Sequence, residues 1–481
     1  MEGRILLLWI KRISILLLAV ILLVAIAFGI RTKNHVDTFT RDLKSETSTA
    51  ALSQSAARIN SDVNQILGVA NLPIVKQALS LAKLNFVPIR DEIEAVIKAS
   101  PFLLGSDIPK RYLIAFQNSA EARGTGGILG AYAIVEFHKG SFKIVQTGSN
   151  EALYKISRTK IPVDVPAEFL KLYGNHPAIL QNSNLSPHFP YGAEIWLGLW
   201  KAKFGEQLDG VLAIDPSALS YVLEATGPIT LKSGEEITSE NVVSETLQKA
   251  YKRFETDNRA RKQYLVEIIN STAVKISSGQ FSKVGMAKAL KQGLIENRIL
   301  MYSREENAEK ELASSRLGGF LQTTPNNEYR VVIQNIDASK LDYYLEKSVT
   351  VEALSCENPN QTQVRVRLTN TLKSGKGLPA YVLTRADKGK PADLVSGQHR
   401  FKLFVYGPTG AKLVSVSREI RTSGLGGGST ERKRPIYVAD VDLAPGQSEN
   451  FLANFEGGKG KISFVDQPLV RPTQLSIKGG C

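Results

Sequence analysis

The chain has 481 residues, a formal net charge of +14 at neutral pH and 43% hydrophobic residues, too long for one core and long enough for two or three domains. Its two cysteines, Cys356 and Cys481, exclude a disulfide framework, though one bridge between them stays open. Five scattered histidines show no paired ligand spacing, so no metal is expected, and the basic surplus favours polyanionic partners.

Residues 13 to 30 carry no charge, and about 18 residues at roughly 1.5 Å each reach across most of a bilayer core. They predict one transmembrane helix after a tail of residues 1–12. The rival reading is a cleaved signal peptide ending at Ala25-Ile26-Ala27. Lysine and arginine flank the segment on both sides and do not set its direction. The short basic tail, acidic only at Glu2, points to a cytoplasmic N-terminus. The expectation is a single-pass protein of the cell membrane with an extracytoplasmic C-terminal ectodomain.

Residues 31–108 read as a helical stalk. Leu52, Ala56, Ile59, Val63, Ile66 and Ala70 recur at steps of four and three and stop at Asn71-Leu72-Pro73. Further helices are expected after Pro73 and after Pro88, the last with Ile89, Ile93, Val96 and Ile97 on one face. The stripe suits packing within the chain or a two-stranded coiled coil.

Over residues 109–348 an α/β domain is expected. Tyr112–Phe116 and Ala131–Phe137 read as strands, and the polar, glycine-rich stretch Gln117–Gly130 between them reads as a loop. Gly210–Ile214 is a further strand, and Asp215-Pro216 reads as N-cap and first residue of a helix. Residues 237–320 read as a helical region. Over residues 349–481, Val364–Leu368 alternates strictly, Phe401–Val405 ends at the turn Gly407–Gly410, and Ile436–Leu443 ends at Pro445-Gly446. That pattern predicts an antiparallel β-sandwich. The fold class is therefore α+β and multidomain. Residues 350–481 carry a surplus of +8.

The glycines of the Gln117–Gly130 stretch run into a strand and no lysine follows, which argues against a nucleotide loop. A tight turn, with Arg123 paired to Glu121 or a carbonyl, is one reading. The other is a ligand site in which Asn118 and Glu121 orient a phosphate held by the planar fork of Arg123. Asp209 is a candidate for a metal or a structural role. Arg432, Lys433 and Arg434 read as a patch for an anionic surface.

Several motifs carry a resemblance. Gln117-Asn118-Ser-Ala-Glu121-Ala-Arg123-Gly-Thr125-Gly126-Gly127-Ile-Leu-Gly130, Asp209-Gly-Val-Leu-Ala-Ile-Asp215-Pro216 and Ala225-Thr226-Gly227-Pro228-Ile229 resemble the bacterial membrane proteins called domain of unknown function 4012, common in actinobacteria. Asn241 with Tyr251, the stretch Ser339–Leu345 and the stretch Gly377–Val382 extend the likeness. His188 stands where that family is expected to carry an acidic residue. Asp-Gly-Val and Thr-Gly-Pro are also distantly similar to wall-polymer ligases of the LytR-CpsA-Psr type, without their arginine-rich site. The resemblance implies an envelope protein. The first functional reading is a basic ectodomain that binds anionic cell-wall glycopolymers, lipid head groups or envelope proteins, with no nucleic acid and no cofactor. The alternative is a phosphotransferase acting on lipid-pyrophosphate-linked glycopolymers, with Asp209 helping to hold Mg²⁺.

Overall fold

The computed structural model describes residues 31–45, 48–81, 85–139, 141–156, 165–174, 176–177, 179–354, 361–384, 395–418 and 427–479. The expected transmembrane helix and both cysteines lie outside these residues. Among the described residues, no helix is long and apolar enough to cross a membrane. The chain divides into two compact units. Of the described residues, those within 31–110, 137–142 and 305–314 form one, and those within 111–136, 143–304 and 315–479 the other.

The first unit is helical. Thr49–Ala70 opens on Ser48, whose hydroxyl accepts from the Ala51 amide, and ends at Asn71. Pro73–Leu81 and Arg90–Leu103 follow. The core joins Phe39, Leu43, Leu52 and Ala56, with Ile59, Ile97 and Leu104 packed against it. The expected stripe is only partly buried, since Ile66 is exposed, and on the helix after Pro88 Val96 is exposed too. The carboxylate of Asp62 is buried instead, with Arg31 Nε at 3.0 Å and His35 Nδ1 at 2.6 Å. A buried carboxylate needs such partners, and ordinary apolar patterning cannot announce it.

The second unit begins with a long hairpin. Strand β1 (Lys110–Arg123) and strand β2 (Gly126–His138) are joined by the two-residue turn Gly124-Thr125. The Gln117–Gly130 stretch is therefore strand on both sides of that turn rather than a loop. Its glycines answer to packing. A Cβ on Gly124 would stand 2.2 Å from the Leu185 carbonyl oxygen, and one on Gly127 would meet the Asn118 backbone at 2.2 Å. Strand β3 (Ser141–Ser149), strand β4 (Gly210–Ile214) and strand β5 (Leu300–Ser303) complete a five-stranded sheet of order β3-β2-β1-β4-β5. Strand β4 lies parallel to β1 and antiparallel to β5, a strand inside the stretch read as helical. Helix α1 (Phe189–Phe204) brings Phe189, Ile195, Trp196, Leu199 and Trp200 into the core that it shares with the sheet. Helix α2 (Pro216–Thr226) opens as expected: Asp215 accepts from the Ala218 amide at 2.8 Å, with Pro216 in the first turn. Helix α3 (Asn258–Ser277) and helix α4 (Lys283–Ile295) follow.

The sandwich consists of two five-stranded sheets. In Gln361–Asn370, Val364, Val366 and Leu368 point into the core while Arg365 and Arg367 face out, as the alternation required. Glu328–Asn335, ahead of the expected start of this domain, is a strand of the sandwich. Two pairings are parallel rather than antiparallel: Ser463–Phe464 with Glu328–Tyr329, and Gln474–Lys478 with Ser348–Glu352. The tip of β1 enters this body, placing Ala122 in the sandwich core.

Asp215 also receives Arg298 Nη1 at 2.6 Å, both side chains being buried. Asp215→Ala removes a cap and one partner of a buried guanidinium and should lower unfolding free energy by about 3 kcal/mol. Asp215→Asn, which keeps the cap, should cost less. Denaturant titration of both variants measures the difference.

Candidate functional site

The sandwich and the β1 tip meet through charge. Arg123 donates through Nε to the Gln181 carbonyl (2.7 Å), through Nη1 to the carbonyls of Ala122 (2.8 Å) and Asn335 (3.1 Å), and through Nη2 to Glu121 (2.9 Å). Lys340 Nζ donates to the other Glu121 oxygen at 2.6 Å and to the Ala338 carbonyl at 2.8 Å. All three side chains are buried. Burial would push the Glu121 carboxyl up, but the Lys340 ammonium and the Arg123 guanidinium outweigh it and hold it below the usual carboxylate range. The structure thus brings Glu121 and Arg123 together, and it spends the guanidinium fork on partners within the chain.

Neighbouring polar groups tie the turn down. Thr125 Oγ1 donates to Gln117 Oε1 at 2.8 Å, and Asn184 Nδ2 donates to the Gly127 carbonyl at 2.9 Å. Trp196 Nε1 donates to Ser183 Oγ at 2.7 Å, fixing the segment that carries Asn184. A buried indole needs that acceptor.

Asn118 faces the other way. Its Nδ2 donates to the Tyr251 hydroxyl at 2.6 Å, and its Oδ1 accepts from the Ala120 amide. Tyr251 follows a π-helical turn, Glu245–Lys249. Such turns re-aim the side chains after them and recur at functional sites. Its ring stacks on Tyr381 with centroids 5.8 Å apart. The Arg261 guanidinium lies 4.5 Å from the Tyr251 centroid and 5.4 Å from that of Tyr381, and Lys340 Nζ lies 4.9 Å from Tyr381. Two cations therefore bracket a pair of aromatic faces, an attraction that strengthens with desolvation.

These groups line a cleft of about 1470 Å³. Arg261 is 6% exposed, and its Nη2 donates to Asn258 Oδ1 at 2.6 Å. It forms no ion pair with a carboxylate among the described residues, unlike Arg298 or Arg418. The cleft lining holds five lysine and arginine side chains against Glu121 and Glu151, and Glu121 is already bound to two of the cations. Along α3 the lining changes character, from Asn258, Arg261 and Lys262 to Leu265, Ile268 and Ile269. Helical rise puts Ile268 roughly 10 Å beyond Arg261. The cleft is cationic at one end of this helix and apolar further along it.

The other expected residues lie elsewhere. Asp209 Oδ2 accepts from the Arg111 amide at 2.7 Å, joining β4 to β1, a structural contact. Among the described residues, no three His, Cys, Asp or Glu side chains group as a metal site requires. Arg432, Lys433 and Arg434 do not form one exposed patch. Arg432 and Lys433 adopt positive φ in a tight turn, and Arg434 swings inward to 0% exposure, donating to Glu328 at 3.1 Å. Burial lowers the Arg434 guanidinium to about 10 against the pull of Glu328. His188 is buried against Tyr191 and Phe320, and its Nδ1 accepts from the Leu321 amide. Burial holds it well below the usual histidine value, so it stays neutral.

Arg261 was missed by sequence reasoning. One signal was present: the start of α3 carries Arg259, Arg261 and Lys262 and no acidic residue in its first turn, against the preference of the helix dipole.

Residues 107–251 match the family described as "Protein of unknown function (DUF4012)". The resemblance read from the motifs stands over that stretch, which holds Asn118, Glu121, Arg123, Asp209 and Tyr251. No curated protein matches the chain. Solved structures similar to it include the Lin1025 protein from Listeria innocua, at 13% identity, covering 47% of this chain and 85% of that one with a TM-score of 0.24. Protein gbs0355 from Streptococcus agalactiae is 14% identical, covering 44% and 74%, with a TM-score of 0.26. The transcriptional regulator yvhJ from Bacillus subtilis is 12% identical, covering 46% and 84%, with a TM-score of 0.23.

Because Glu121 ionises more readily folded than unfolded, its contribution is complete above the ordinary carboxylate value of 4.5 and is lost as pH falls through the lower folded value. Glu121→Gln leaves two buried cations short of their counter-charge and should cost about 3–5 kcal/mol at neutral pH. Denaturant titrations across the acid limb should show a shallower pH dependence in the variant than in the parent.

Proposed function

We propose that this chain is a single-pass envelope protein, N-terminus in the cytoplasm, whose ectodomain binds an amphiphile with an anionic head: a lipid, or a lipid-linked wall glycopolymer. The observation that carries the reading is Arg261, buried in the cleft wall, without a carboxylate partner among the described residues and stacked on Tyr251 and Tyr381. A buried guanidinium without a counter-ion is costly, and a bound anion would supply the missing charge. Its surroundings fit a phosphate or carboxylate head, with Asn258 bonded to it and Asn118 lining the same cleft. The apolar residues further along α3 suit a hydrocarbon chain.

Binding is favoured over transfer. The phosphotransferase reading gave phosphate to Arg123 and Mg²⁺ to Asp209, yet Arg123 donates to four acceptors within the chain and Asp209 accepts from a β1 amide. Both Glu121 oxygens also hold cations. The ligand role therefore passes from Arg123 to Arg261, while Asn118 keeps a place at the cleft.

Two experiments test this. Full-length protein in detergent is titrated with a single-chain phosphate-headed lipid and with its choline-headed counterpart. Arg261→Ala should weaken the phosphate-headed lipid roughly 10- to 100-fold, the loss of one charge-assisted hydrogen bond or two, and change the other little. Equal affinity in parent and variant would remove Arg261 from the site. For topology, alkaline phosphatase joined after Ile30 should be active in cells and green fluorescent protein at the same point dark.

A further inference from the structure

We infer that the hairpin formed by the end of α3, the turn that follows it and α4 docks on an anionic lipid bilayer. This surface is separate from the cleft and does not depend on what the cleft binds.

Its composition departs from that of a solvated helix pair. Between residues 268 and 295 there is no aspartate or glutamate, while Lys275, Lys283, Lys288 and Lys291 are present. Helix α4 therefore carries no acidic residue at i,i+4 from Lys283 or Lys288, the usual device of an exposed helix. Its inward face is made by Gly285, Ala289 and Gly293 at steps of four. A Cβ on Gly285 would lie 3.2 Å from Ala225 of α2, and one on Gly293 would meet Ile299 at 2.7 Å. The small residues let α4 lie close to α2, which fixes what faces outward.

That outward face carries Lys283, Val284, Ala287, Leu290 and Lys291. Val284 is 57% and Leu290 45% exposed, and Val274 at the end of α3 is 70% exposed. Apolar side chains on solvent-facing turns, ringed by lysine and free of carboxylates, match the surface of a helix lying in the head-group layer. Lysine stems can follow the apolar surface while their ammonium groups reach lipid phosphates. Burial and the neighbouring Lys288 push the Lys291 ammonium below the usual lysine value, so an anionic surface relieves a like-charge contact. The carboxylates on adjoining elements are Glu224 of α2, Glu267 of α3 and Glu296 after α4. Glu267 accepts from the Lys232 amide, and Glu296 from Tyr221, Gln292 and Arg298.

The charge complement selects lipid over neutral partners. The same α3 that ends in this hairpin lines the cleft with Leu265, Ile268 and Ile269.

The test uses the full-length chain in nanodiscs of phosphatidylcholine alone and of phosphatidylcholine with phosphatidylglycerol, read by hydrogen exchange. Peptides covering residues 274–294 should exchange several-fold more slowly in the anionic discs, while those of the sandwich should not differ. Each neutralisation among Lys283→Gln, Lys288→Gln and Lys291→Gln should weaken the effect roughly fivefold, and Val284→Ser with Leu290→Ser should also reduce it. Unchanged exchange of sandwich peptides in each variant shows that the fold is retained. Equal exchange of 274–294 in both discs overturns the assignment. So does protection that appears with added polyglutamate but not with anionic lipid, which would make the face a protein-docking surface.

Discussion

The carboxylate of Glu121 sits out of water between Arg123 and Lys340, and the second unit is organised around keeping it satisfied. A charge that deep is tolerated only when opposite charges and hydrogen bonds surround it. Arg123 comes from the same strand two residues on, whereas Lys340 comes from the sandwich. The tip of β1 is therefore held in the sandwich, and Gln467 seals it by donating to the carbonyls of Arg123 and Ile333. Asp342 repeats the pattern nearby, accepting from the Ala122 amide and from Asn335. The α/β sheet and the sandwich share one packed body because a strand of one supplies both core and charge to the other.

That arrangement also positions the cleft. With β1 fixed, Asn118 can hold the Tyr251 hydroxyl, and the Tyr381 ring is held against both Tyr251 and Lys340. Lys340 thus serves the buried ion pair and the aromatic wall together. Arg261 approaches the same wall from α3, bonded to Asn258 and to no carboxylate among the described residues, whereas Arg123 is held by four acceptors.

The parts legible in the sequence were those fixed by short-range rules. Strict alternation gave Val364–Leu368, and Asp215-Pro216 announced the start of α2, because a period of two and an N-cap both act within a few residues. The tip of the hairpin reads as loop in the sequence because glycine and polar residues usually mean solvent. There the glycines admit the backbone of Leu185, and the polar groups bond one another in the interior. Arg434 looked like part of a solvated basic run, yet the left-handed turn at Arg432 and Lys433 directs it into the protein. Arg261 gave little away because its aromatic partners come from a different helix and from the sandwich. Residues whose roles are set by distant partners leave only indirect traces, such as three basic side chains at a helix start.

The Glu121 and Lys340 pair is separated by 219 residues. A ribosome adding about 5–20 residues per second makes Lys340 roughly ten to forty seconds after Glu121. For that interval the carboxylate has Arg123 alone, and Ala122 has no core to enter. The tip of β1 therefore cannot dock until the sandwich has been made. A nascent chain carries the tip of its long hairpin undocked through that interval, with Ala122 and Glu121 still in water.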